Sequence, residues 1–267
     1  MKEFPIQEML CPVVSNIPVN GEYFHLVLDV PSAALAGLPG QFFHLKCPSS
    51  QAGTPFLRRP MSVYRINRHE RQIEFLYKNH GLGTAGLATL KSGDVLDVFG
   101  PLGQGFVSDG SKHVLMVARG VGLATMAPLA EQAIGNGSQV TAILSARSPD
   151  LVMSADYLES VGASIISVTD TDGTSDIGSV AGILEACHAA NPFDYAATCG
   201  SNRLLQMLKR LCGQWGITGE VALEQNMACA IGMCFCCVRP FEVDGGLTYR
   251  RVCFEGPVFP LGETTSW

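Results

Sequence analysis

The sequence predicts an α+β protein of several domains: an antiparallel β-barrel, an α/β domain built on a parallel sheet, and a small C-terminal module. Short strand candidates separated by turns continue to about residue 106, apolar runs then alternate with helical stretches, and five cysteines crowd the C-terminal part. The length of 267 residues exceeds one typical domain. The predicted domains are residues 1–108, 109–222 and 223–267.

The barrel prediction depends on short alternating segments in the first part of the chain. Several strands joined by turns at this spacing are typical of barrels and sandwiches. A Pro-Gly turn at 39–40 precedes one candidate, and a polar connection at 67–71 separates two others. We also expect a short helix within residues 81–90. The strand candidates are 22–30, 41–47, 61–66, 72–78 and 95–99.

The pattern changes near residue 112, where compact apolar runs begin to alternate with helical segments. Such alternation indicates an open parallel sheet with helices packed on it. We expect the boundary with the barrel at 108–111. The predicted strands are 113–118, 139–145, 163–169 and 194–199, and the predicted helices are 127–134 and 202–212.

Composition excludes several classes of function. The formal net charge is −6 and Lys and Arg nowhere cluster, whereas nucleic-acid binding requires a basic surface. No apolar stretch reaches the roughly 20 residues of a membrane-spanning helix, so no membrane partner is predicted. Lys2, Glu3 and Glu8 leave no apolar segment for a secretory signal, and we therefore predict a cytoplasmic protein.

The C-terminal cysteines indicate a metal centre. Structural disulfides are not expected for the ten cysteines of a cytoplasmic chain. Cys229, Cys234 and Cys237 form C-x4-C-x2-C, and Cys253 follows after fifteen intervening residues. This is the order of spacings of plant-type [2Fe–2S] proteins, in which the fourth cysteine is distant. A four-cysteine zinc site and a set of buried free thiols are the alternatives, although zinc sites favour a second C-x2-C pair.

The residues around these cysteines agree with a cluster. Ala228, Ala230 and Gly232 are small and allow backbone N–H groups to approach the sulfur atoms, and such hydrogen bonds tune the potential of a cluster. Cys236 is left over between two predicted ligands. We interpret it as a packed small residue that points away.

Two segments of the barrel have residues suited to phosphate binding. Residues 58–62 read Arg-Arg-Pro-Met-Ser on a predicted strand, and arginine binds phosphate through two parallel hydrogen bonds. An ordinary surface arginine pair is the alternative. Residues 81–86 spell G-x-G-x-x-G, but no βαβ unit follows, so we do not interpret them as a Rossmann motif. Glycines that lead into a short helix can still present N–H groups to a phosphate. His80 lies next to this turn and is interpreted as a surface residue.

Together these motifs resemble the ferredoxin-reductase superfamily and, within it, the electron-transfer subunits of dihydroorotate dehydrogenase B. The likeness covers nearly the whole chain, from about Gly40 to Phe259. Its most specific part is the cysteine pattern with its flanking residues. The segments that carry it are Pro39-Gly40-Gln41-Phe42, Leu57-Arg58-Arg59-Pro60-Met61-Ser62, Gly81-Leu82-Gly83-Thr84, Gly100-Pro101-Leu102-Gly103, Thr171-Asp172-Gly173-Thr174, Leu223-Glu224, Met227-Ala228-Cys229 and Cys253-Phe254-Glu255-Gly256-Pro257-Val258-Phe259.

The resemblance implies FAD in the barrel and a [2Fe–2S] cluster held by the four cysteines. It places Arg59 near the FAD pyrophosphate, Ser62 near the flavin N5, and Gly83 and Thr84 at the phosphates. It also implies a hetero-oligomeric partner that carries FMN and oxidises dihydroorotate, with electrons passing through the cluster and FAD to NAD(P). No catalytic acid or base is expected. The residues expected to contact cofactors are Arg59, Pro60, Met61, Ser62, Tyr77, Gly81, Gly83, Thr84, Gly120 and Gly122.

The predicted nucleotide domain departs from the family pattern. Relatives have a glycine triplet after the first strand and then a proline, whereas here Arg119 replaces one of two missing glycines and Thr125 stands at the proline position. The family Cys-Gly-Pro is Cys199-Gly200-Ser201. Glycines there allow the backbone to approach a dinucleotide, so Arg119 either obstructs that approach or binds a phosphate itself. Arg147 is a candidate for a ribose phosphate or an ordinary exposed arginine, and NAD versus NADP stays open.

Four hypotheses follow. The chain is the redox subunit of a dihydroorotate dehydrogenase; a paralogue that serves another dehydrogenase or a ferredoxin:NAD(P) couple; an electron relay that has lost nucleotide binding; or a zinc-stabilised interaction protein. In the first two, flavin connects two-electron hydride chemistry with one-electron cluster chemistry, and the protein positions the cofactors.

Overall fold

The structure is a computed structural model that describes residues 6–51, 53–108 and 110–266. The outermost residues of the predicted domain limits, 1–5, 109 and 267, lie outside the described residues, and so does most of the segment used to argue against a secretory signal. Within the described ranges no helix is long and apolar enough to cross a membrane.

The first half of the chain folds into one curled, seven-stranded antiparallel sheet, as predicted for a barrel. Its strand order is β4-β3-β7-β1-β2-β6-β5. The inside of the curl is apolar and includes Phe43, Phe75 and Leu96, which are almost fully buried. The helix α1 covers one opening. The elements are β1 (Gln7–Pro18), β2 (Tyr23–Asp29), β3 (Phe42–Leu45), β4 (Arg59–Ser62), β5 (Arg65–Asn67), β6 (Gln72–Lys78), α1 (Leu82–Leu87) and β7 (Val95–Leu102).

The single strand predicted at 61–66 is two strands with a corner between them. β4 pairs with β3 at one end of the strand order, and β5 pairs with β6 at the other. At the corner, the Val63 N–H donates to the Gln41 carbonyl and the Tyr64 N–H donates to the Glu74 carbonyl. The chain therefore crosses from one edge of the sheet to the other and closes the curl. A straight strand cannot exchange partners in this way. The alternation pattern in the sequence continues through the bend, so the two strands appear there as one.

The second half is a six-stranded sheet with helices on both faces. Its order is β10-β9-β8-β11-β12-β15, parallel except for β15, which pairs antiparallel with β12. The predicted parallel α/β architecture is confirmed. The strands are β8 (His113–Arg119), β9 (Gln139–Ala146), β10 (Ser164–Thr169), β11 (Tyr195–Cys199), β12 (Thr218–Ala222) and β15 (Val258–Pro260); the helices are α2 (Leu123–Gly135), α3 (Ala155–Ser160), α4 (Ile177–Ala190) and α5 (Asn202–Trp215); a hairpin joins β13 (Val238–Val243) and β14 (Gly246–Arg251).

The strands of the second sheet are apolar on both faces because both are covered. In β8, Val114 and Met116 pack in the cluster that contains α2, whereas Leu115 and Val117 pack in the cluster that contains α4 and α5. Successive side chains of a strand point to opposite faces, so a doubly covered strand has no polar alternation. This is the reason that the strands 113–118 and 194–199 appear in the sequence as compact apolar runs.

Several elements of the second half were not predicted from the sequence. The helix α4 contains Gly178 and Gly182, which weaken a helical pattern, and it begins instead at a strong cap: the Asp176 carboxylate accepts from the N–H groups of Gly178 and Ser179 at 3.0 Å. Ser201, where the family has proline, caps α5 by accepting from the Leu204 N–H at 3.4 Å. The strands β12 and β15 of the second half, and β1 of the first half, were also missed.

The C-terminal segment is fixed to both sheets. The Leu223 N–H donates to the Pro257 carbonyl at 2.9 Å, next to the β12–β15 pairing, and the Gln104 N–H of the barrel exit donates to the Gly256 carbonyl at 2.6 Å. The cysteine-rich residues between 223 and 257 are therefore a long loop whose two ends are hydrogen-bonded to each other.

Gly122 shows how closely the loop after β8 packs against the loop after β11. A Cβ added at Gly122 would lie 2.5 Å from the Cys199 carbonyl oxygen, which belongs to backbone and cannot rotate away. We expect Gly122→Ala to lower the free energy of unfolding by about 1–3 kcal/mol because the two loops must separate. Urea denaturation followed by circular dichroism measures this. The control is Gly135→Ala at the end of α2, the helix that Gly122 precedes, where an added Cβ meets nothing within 4 Å; equal destabilisation in both variants would contradict the prediction.

Candidate functional site

A cavity lies where the curled sheet meets the carboxyl edge of the second sheet. It encloses about 410 Å³. In open α/β sheets this edge is where ligands bind, at the point where the strand order reverses. Its mostly apolar wall with a few polar groups suits a flat aromatic ring. The lining residues are Phe42, Pro60, Met61, Ser62, Leu76, Tyr77 and Lys78 from the first sheet, and Val121, Ala124, Thr125, Leu223, Glu224, Gln225, Asn226, Met227 and Pro257 from the second half.

The structure brings together four of the residues predicted to bind a flavin. Pro60, Met61 and Ser62 come from β4 and Tyr77 from β6, and all four line this cavity. The Tyr77 hydroxyl donates to Asn16 Oδ1 at 3.1 Å and its ring stacks on Phe24, so the ring is held in place. Burial raises the pKa of this phenol well above its usual value, so it stays neutral.

Arg58, directly before β4, and Arg59, the first residue of β4, have different environments. Arg58 is an internal ion-pair residue that binds Asp97 at 2.9 Å and Glu8. Arg59 instead donates to carbonyl oxygens, to Leu57 at 2.6 Å and Arg58 at 3.3 Å. Among the described residues no carboxylate forms an ion pair with Arg59. The positive charge of Arg59 is therefore uncompensated and available to bind a phosphate group.

The glycine turn before α1 is shaped around Arg59. A Cβ at Gly83 would lie 2.7 Å from Arg59 Nε, and one at Gly86 would lie 2.0 Å from the Pro48 carbonyl oxygen. Gly81, with φ of 85°, precedes the helix. Thr84 is used locally, because its hydroxyl oxygen accepts from the His80 N–H at 2.7 Å and the hydroxyl donates to the Gly81 carbonyl at 3.3 Å. The turn therefore presents backbone next to an arginine rather than a free hydroxyl.

The four cysteines predicted as ligands lie in two pairs. Cys229 and Cys234 are hydrogen-bonded to each other, as are Cys237 and Cys253. The amide of Cys234 donates to Cys229 Sγ at 3.4 Å, and the amide of Cys253 donates to Cys237 Sγ at 3.3 Å. Within the described ranges no three His, Cys, Asp or Glu side chains are arranged to hold one metal ion. Two thiol pairs fit a two-iron cluster, in which each iron takes two thiolates, better than a single zinc ion.

The loop environment favours thiolates at its outer edge. Burial raises the pKa of Cys229, but hydrogen bonds from the amides of Ile231 and Cys234 outweigh it and lower the pKa to about 7. Burial and the hydrogen bond with Cys237 raise the pKa of Cys253 to about 12. The turn needs Gly232, with φ of 82°, because an added Cβ would lie 3.0 Å from Phe254. Cys236 is exposed, so the interpretation of it as a packed residue is wrong; its thiol donates to the Asn226 carbonyl at 3.7 Å.

The cysteine loop adjoins the cavity. Met227 lines the cavity and lies two residues before Cys229. On the barrel side, His44 of β3 is buried next to the Met227 backbone. Burial and the nearby Arg58 charge lower the pKa of His44 to about 4, so it is neutral at physiological pH. A ring in the cavity and a cluster in the loop would thus be separated by a short stretch of protein.

A second, smaller cavity of about 250 Å³ lies at the same sheet edge. Gly120, predicted as a nucleotide contact, lines it and has φ of 54°. Gly122 does not line it and packs instead against Cys199 and Gly200. Arg119 does not cross the opening: it reaches sideways to Ser145 and Asp170. The approach to the glycine turn therefore stays open.

Sequence reasoning missed several lining residues. Lys78 and Tyr23 line the cavities but carry no motif of their own. Thr125 departs from the family pattern and Leu223-Glu224 is part of it, but the sequence assigned neither of them a role at the site. The useful signal was position, since the residues directly after β8 and β12 must meet at one edge of a parallel sheet.

A curled antiparallel sheet, a parallel sheet with cavities at its carboxyl edge and a four-cysteine loop define an electron-transfer protein of the ferredoxin-reductase class. Residues 224–265 match the family model described as the iron-sulfur cluster binding domain of dihydroorotate dehydrogenase B. The chain is 34% identical, over 94% of its length and 96% of theirs, to proteins of Bacillus cereus (strain Q1) and Bacillus anthracis (strain A0248) named dihydroorotate dehydrogenase B (NAD(+)), electron transfer subunit. It belongs to this family of electron transfer subunits.

Solved structures agree with this class. A chain of the NADH-dependent reduced ferredoxin-NADP oxidoreductase, a flavin-based bifurcating enzyme, superposes with a TM-score of 0.79 at 25% identity over 96% of this chain and 89% of that chain. The ferredoxin reductase in carbazole 1,9a-dioxygenase, at 21% identity and a TM-score of 0.63 over 81% of this chain and 68% of that chain, shares the fold. The protein is therefore an oxidoreductase subunit for electron transfer, with FAD, a [2Fe–2S] cluster and NAD as its cofactors.

Proposed function

We propose that this chain passes electrons between the FMN of a catalytic dihydroorotate dehydrogenase subunit and NAD, through a [2Fe–2S] cluster and FAD. The relatives are named as NAD(+)-linked electron transfer subunits, which implies a catalytic partner. The observation that carries the proposal is continuity: Met227 lines the flavin-sized cavity, and the cysteine pairs begin two residues later. A cytoplasmic location remains part of the proposal.

Named residues would hold each group. Arg59 offers its uncompensated charge to the FAD pyrophosphate beside the turn at Gly81 and Gly83, with the Thr84 hydroxyl fixing that turn. Pro60, Met61, Ser62 and Tyr77 would flank the ring, and Cys229, Cys234, Cys237 and Cys253 would be the cluster ligands. When bound, the flavin connects two-electron transfer with the nicotinamide to one-electron transfer with the cluster.

The chain itself excludes water and fixes positions. The apolar wall from Phe42, Leu76 and Val121 shields the cavity, and the neutral His44 connects the flavin-side strand β3 to Met227. No side chain has to donate or accept a proton for an electron to cross between the two sites. Gly120 would allow a dinucleotide to approach the end of β8, and Gly122 supports that turn by close packing.

The domain limits belong to the same proposal: a FAD-binding unit at 1–108, a nucleotide-binding unit at 109–222 and a cluster module at 223–267. Hydrogen bonds connect the 223–267 module to the nucleotide-binding unit, because β15 belongs to the module and is the edge strand of the nucleotide sheet. We expect the module to fold only together with residues 109–222.

An anaerobic titration tests the function. We expect the purified complex with its catalytic subunit to show a flavin and cluster absorbance that NADH bleaches, together with the electron paramagnetic resonance signal of a reduced [2Fe–2S] cluster. Dihydroorotate should bleach the complex but not the isolated chain. Reduction by dihydroorotate alone, without the partner, or failure of NADH to reduce either chromophore would contradict the proposal.

A second candidate is a paralogous subunit that serves another dehydrogenase or a ferredoxin:NAD(P) couple. It is favoured by the likeness to the bifurcating oxidoreductase and by Arg119 and Thr125, which depart from the family pattern. A complex reduced by NADH but not by dihydroorotate would indicate this candidate. The relay that has lost nucleotide binding is disfavoured because the second cavity is open.

A further inference from the structure

The second cavity is the place where the adenosine half of a dinucleotide would lie. Its wall is formed by residues that follow three parallel strands: Gly120 after β8, Arg147 after β9 and Gly200 after β11. In doubly wound sheets the adenine ribose lies at this edge, where a carboxylate accepts from the ribose 2′-hydroxyl of NAD or an arginine binds the 2′-phosphate of NADP. The charges at this edge therefore determine which coenzyme fits.

Arg119 is held sideways along this edge by a forked ion pair. Its Nη1 donates to Ser145 Oγ at 2.7 Å and to Asp170 Oδ1 at 3.2 Å, and its Nη2 donates to Asp170 Oδ2 at 2.7 Å. Two parallel N–H···O bonds between guanidinium and carboxylate are a strong and directional arrangement. Ser145 lies near the end of β9, and Asp170 directly follows β10. The fork thus spans the carboxyl ends of these two strands.

Each cationic side chain that lines the cavity already has a carboxylate partner. Arg119 pairs with Asp170, Arg147 pairs with Glu22, and Lys78 pairs with Glu22 at 2.8 Å. Hydrogen bonds from Arg119 and Ser175 lower the pKa of Asp170 to about 2, so its carboxylate is charged at physiological pH. Asp170 is not itself a lining residue of the cavity, but about half of its side chain (46%) is exposed beside Arg119, which does line it.

We propose that Asp170, held by Arg119, is a specificity-determining residue that makes this subunit select NAD(H) against NADP(H). A ribose 2′-hydroxyl can donate to the carboxylate, whereas a 2′-phosphate meets its negative charge, and the cations that line the cavity are already paired with carboxylates. Arg203, whose charge also lowers the pKa of Asp170, is not one of the lining residues. Specificity of this kind acts by repelling the wrong ligand rather than by binding the right one more tightly. The inference rests on the proposed function, because it assumes that the nucleotide binds at this edge.

The test is a change of coenzyme preference in Asp170→Asn. We expect this substitution to leave Arg119 with an unpaired charge and to lower the dissociation constant of NADP+ about tenfold, while that of NAD+ changes less than about threefold. Isothermal titration calorimetry of the oxidised, cofactor-loaded complex with each coenzyme measures both constants without turnover. Asp170→Ser also removes the carboxylate and should give the same direction, so the test does not depend on one variant folding.

Two controls separate this effect from a general change in charge. Asp172→Asn alters the net charge equally, but Asp172 accepts from the Thr169 hydroxyl at 2.6 Å and is not the partner of Arg119; its NADP+ constant should not change. Adding Arg119→Met to Asp170→Asn should abolish the gain. An unchanged NADP+ constant in both Asp170 variants, with NAD+ still bound, overturns the inference and leaves the proposed function standing. Failure of the unsubstituted complex to bind NAD+ overturns the nucleotide part of the proposed function and the inference with it.

Discussion

Cys237→Ser is expected to abolish the iron–sulfur cluster. Cys237 is buried, its sulfur accepts from the Cys253 amide at 3.3 Å, and it forms one of the two thiol pairs with Cys253. A serine hydroxyl is a poor replacement for a thiolate in such a site, since soft sulfur ligands are what iron–sulfur clusters require. We expect iron content to fall to background and the signal of the reduced cluster to disappear, while flavin absorbance remains.

The matched control is Cys236→Ser, one residue away. Cys236 is exposed and hydrogen-bonded to the Asn226 carbonyl, so this variant should keep iron and the full signal. Loss of the cluster in Cys236→Ser with retention in Cys237→Ser would contradict the ligand assignment. A signal with altered shape in Cys237→Ser that disappears in the double variant would show that Cys236 can replace its neighbour.

Arg59→Met is expected to weaken FAD binding by about ten- to a hundredfold, the loss of a charge-assisted hydrogen bond to phosphate. The reason is that Arg59 has only carbonyl partners within the protein, so its charge is available to the pyrophosphate. Rebinding of FAD to the deflavinated protein, followed by fluorescence quenching, gives the dissociation constant. The thermal stability of the flavin-free protein should change little.

Arg58→Met is the control, because it removes the same charge from the adjacent residue. Arg58 binds Asp97 of β7 and Glu8 of β1, and so connects these two strands. We expect this variant to lose about 1–3 kcal/mol of stability because the Asp97 carboxylate loses Arg58 and keeps only Lys46, 3.6 Å away, with FAD affinity unchanged in the protein that folds. Equal loss of FAD affinity in both variants would mean that the pyrophosphate binds elsewhere.

The parts of the fold that could be predicted from sequence are those in which local pattern and tertiary role agree. The apolar runs at β8 and β11 are buried on both faces and could be recognised as such. The corner at Val63 could not, because the change of partner from β3 to β6 depends on closure of the whole sheet. The strand β15 was equally hidden, since three residues have no periodicity and pair only after the preceding loop has folded.

At the site, the sequence spacing of the cysteines and glycines indicated candidate binding residues, whereas the ion pairs could not be predicted from the sequence. The cysteine spacing predicted the four ligands as a set, and the arrangement of these thiols in two pairs is visible only in the structure. For Arg119 the sequence left two alternatives, obstruction and phosphate binding, and it did not indicate the ion pair with Asp170 that the structure shows. Its partner Asp170 lies fifty-one residues away in sequence, and no local pattern connects them.

The pairing of β12 with β15 has a consequence for the distance between the two redox centres. The two strands fasten the start and the end of the cysteine loop to one sheet, and the Gln104 contact ties the same point to the barrel. Rocking of the barrel against the nucleotide sheet would carry this junction with it, so the separation of the two redox centres would vary little. Because the rate of electron tunnelling falls steeply with distance, a short edge strand with no ligand of its own would hold that rate nearly constant.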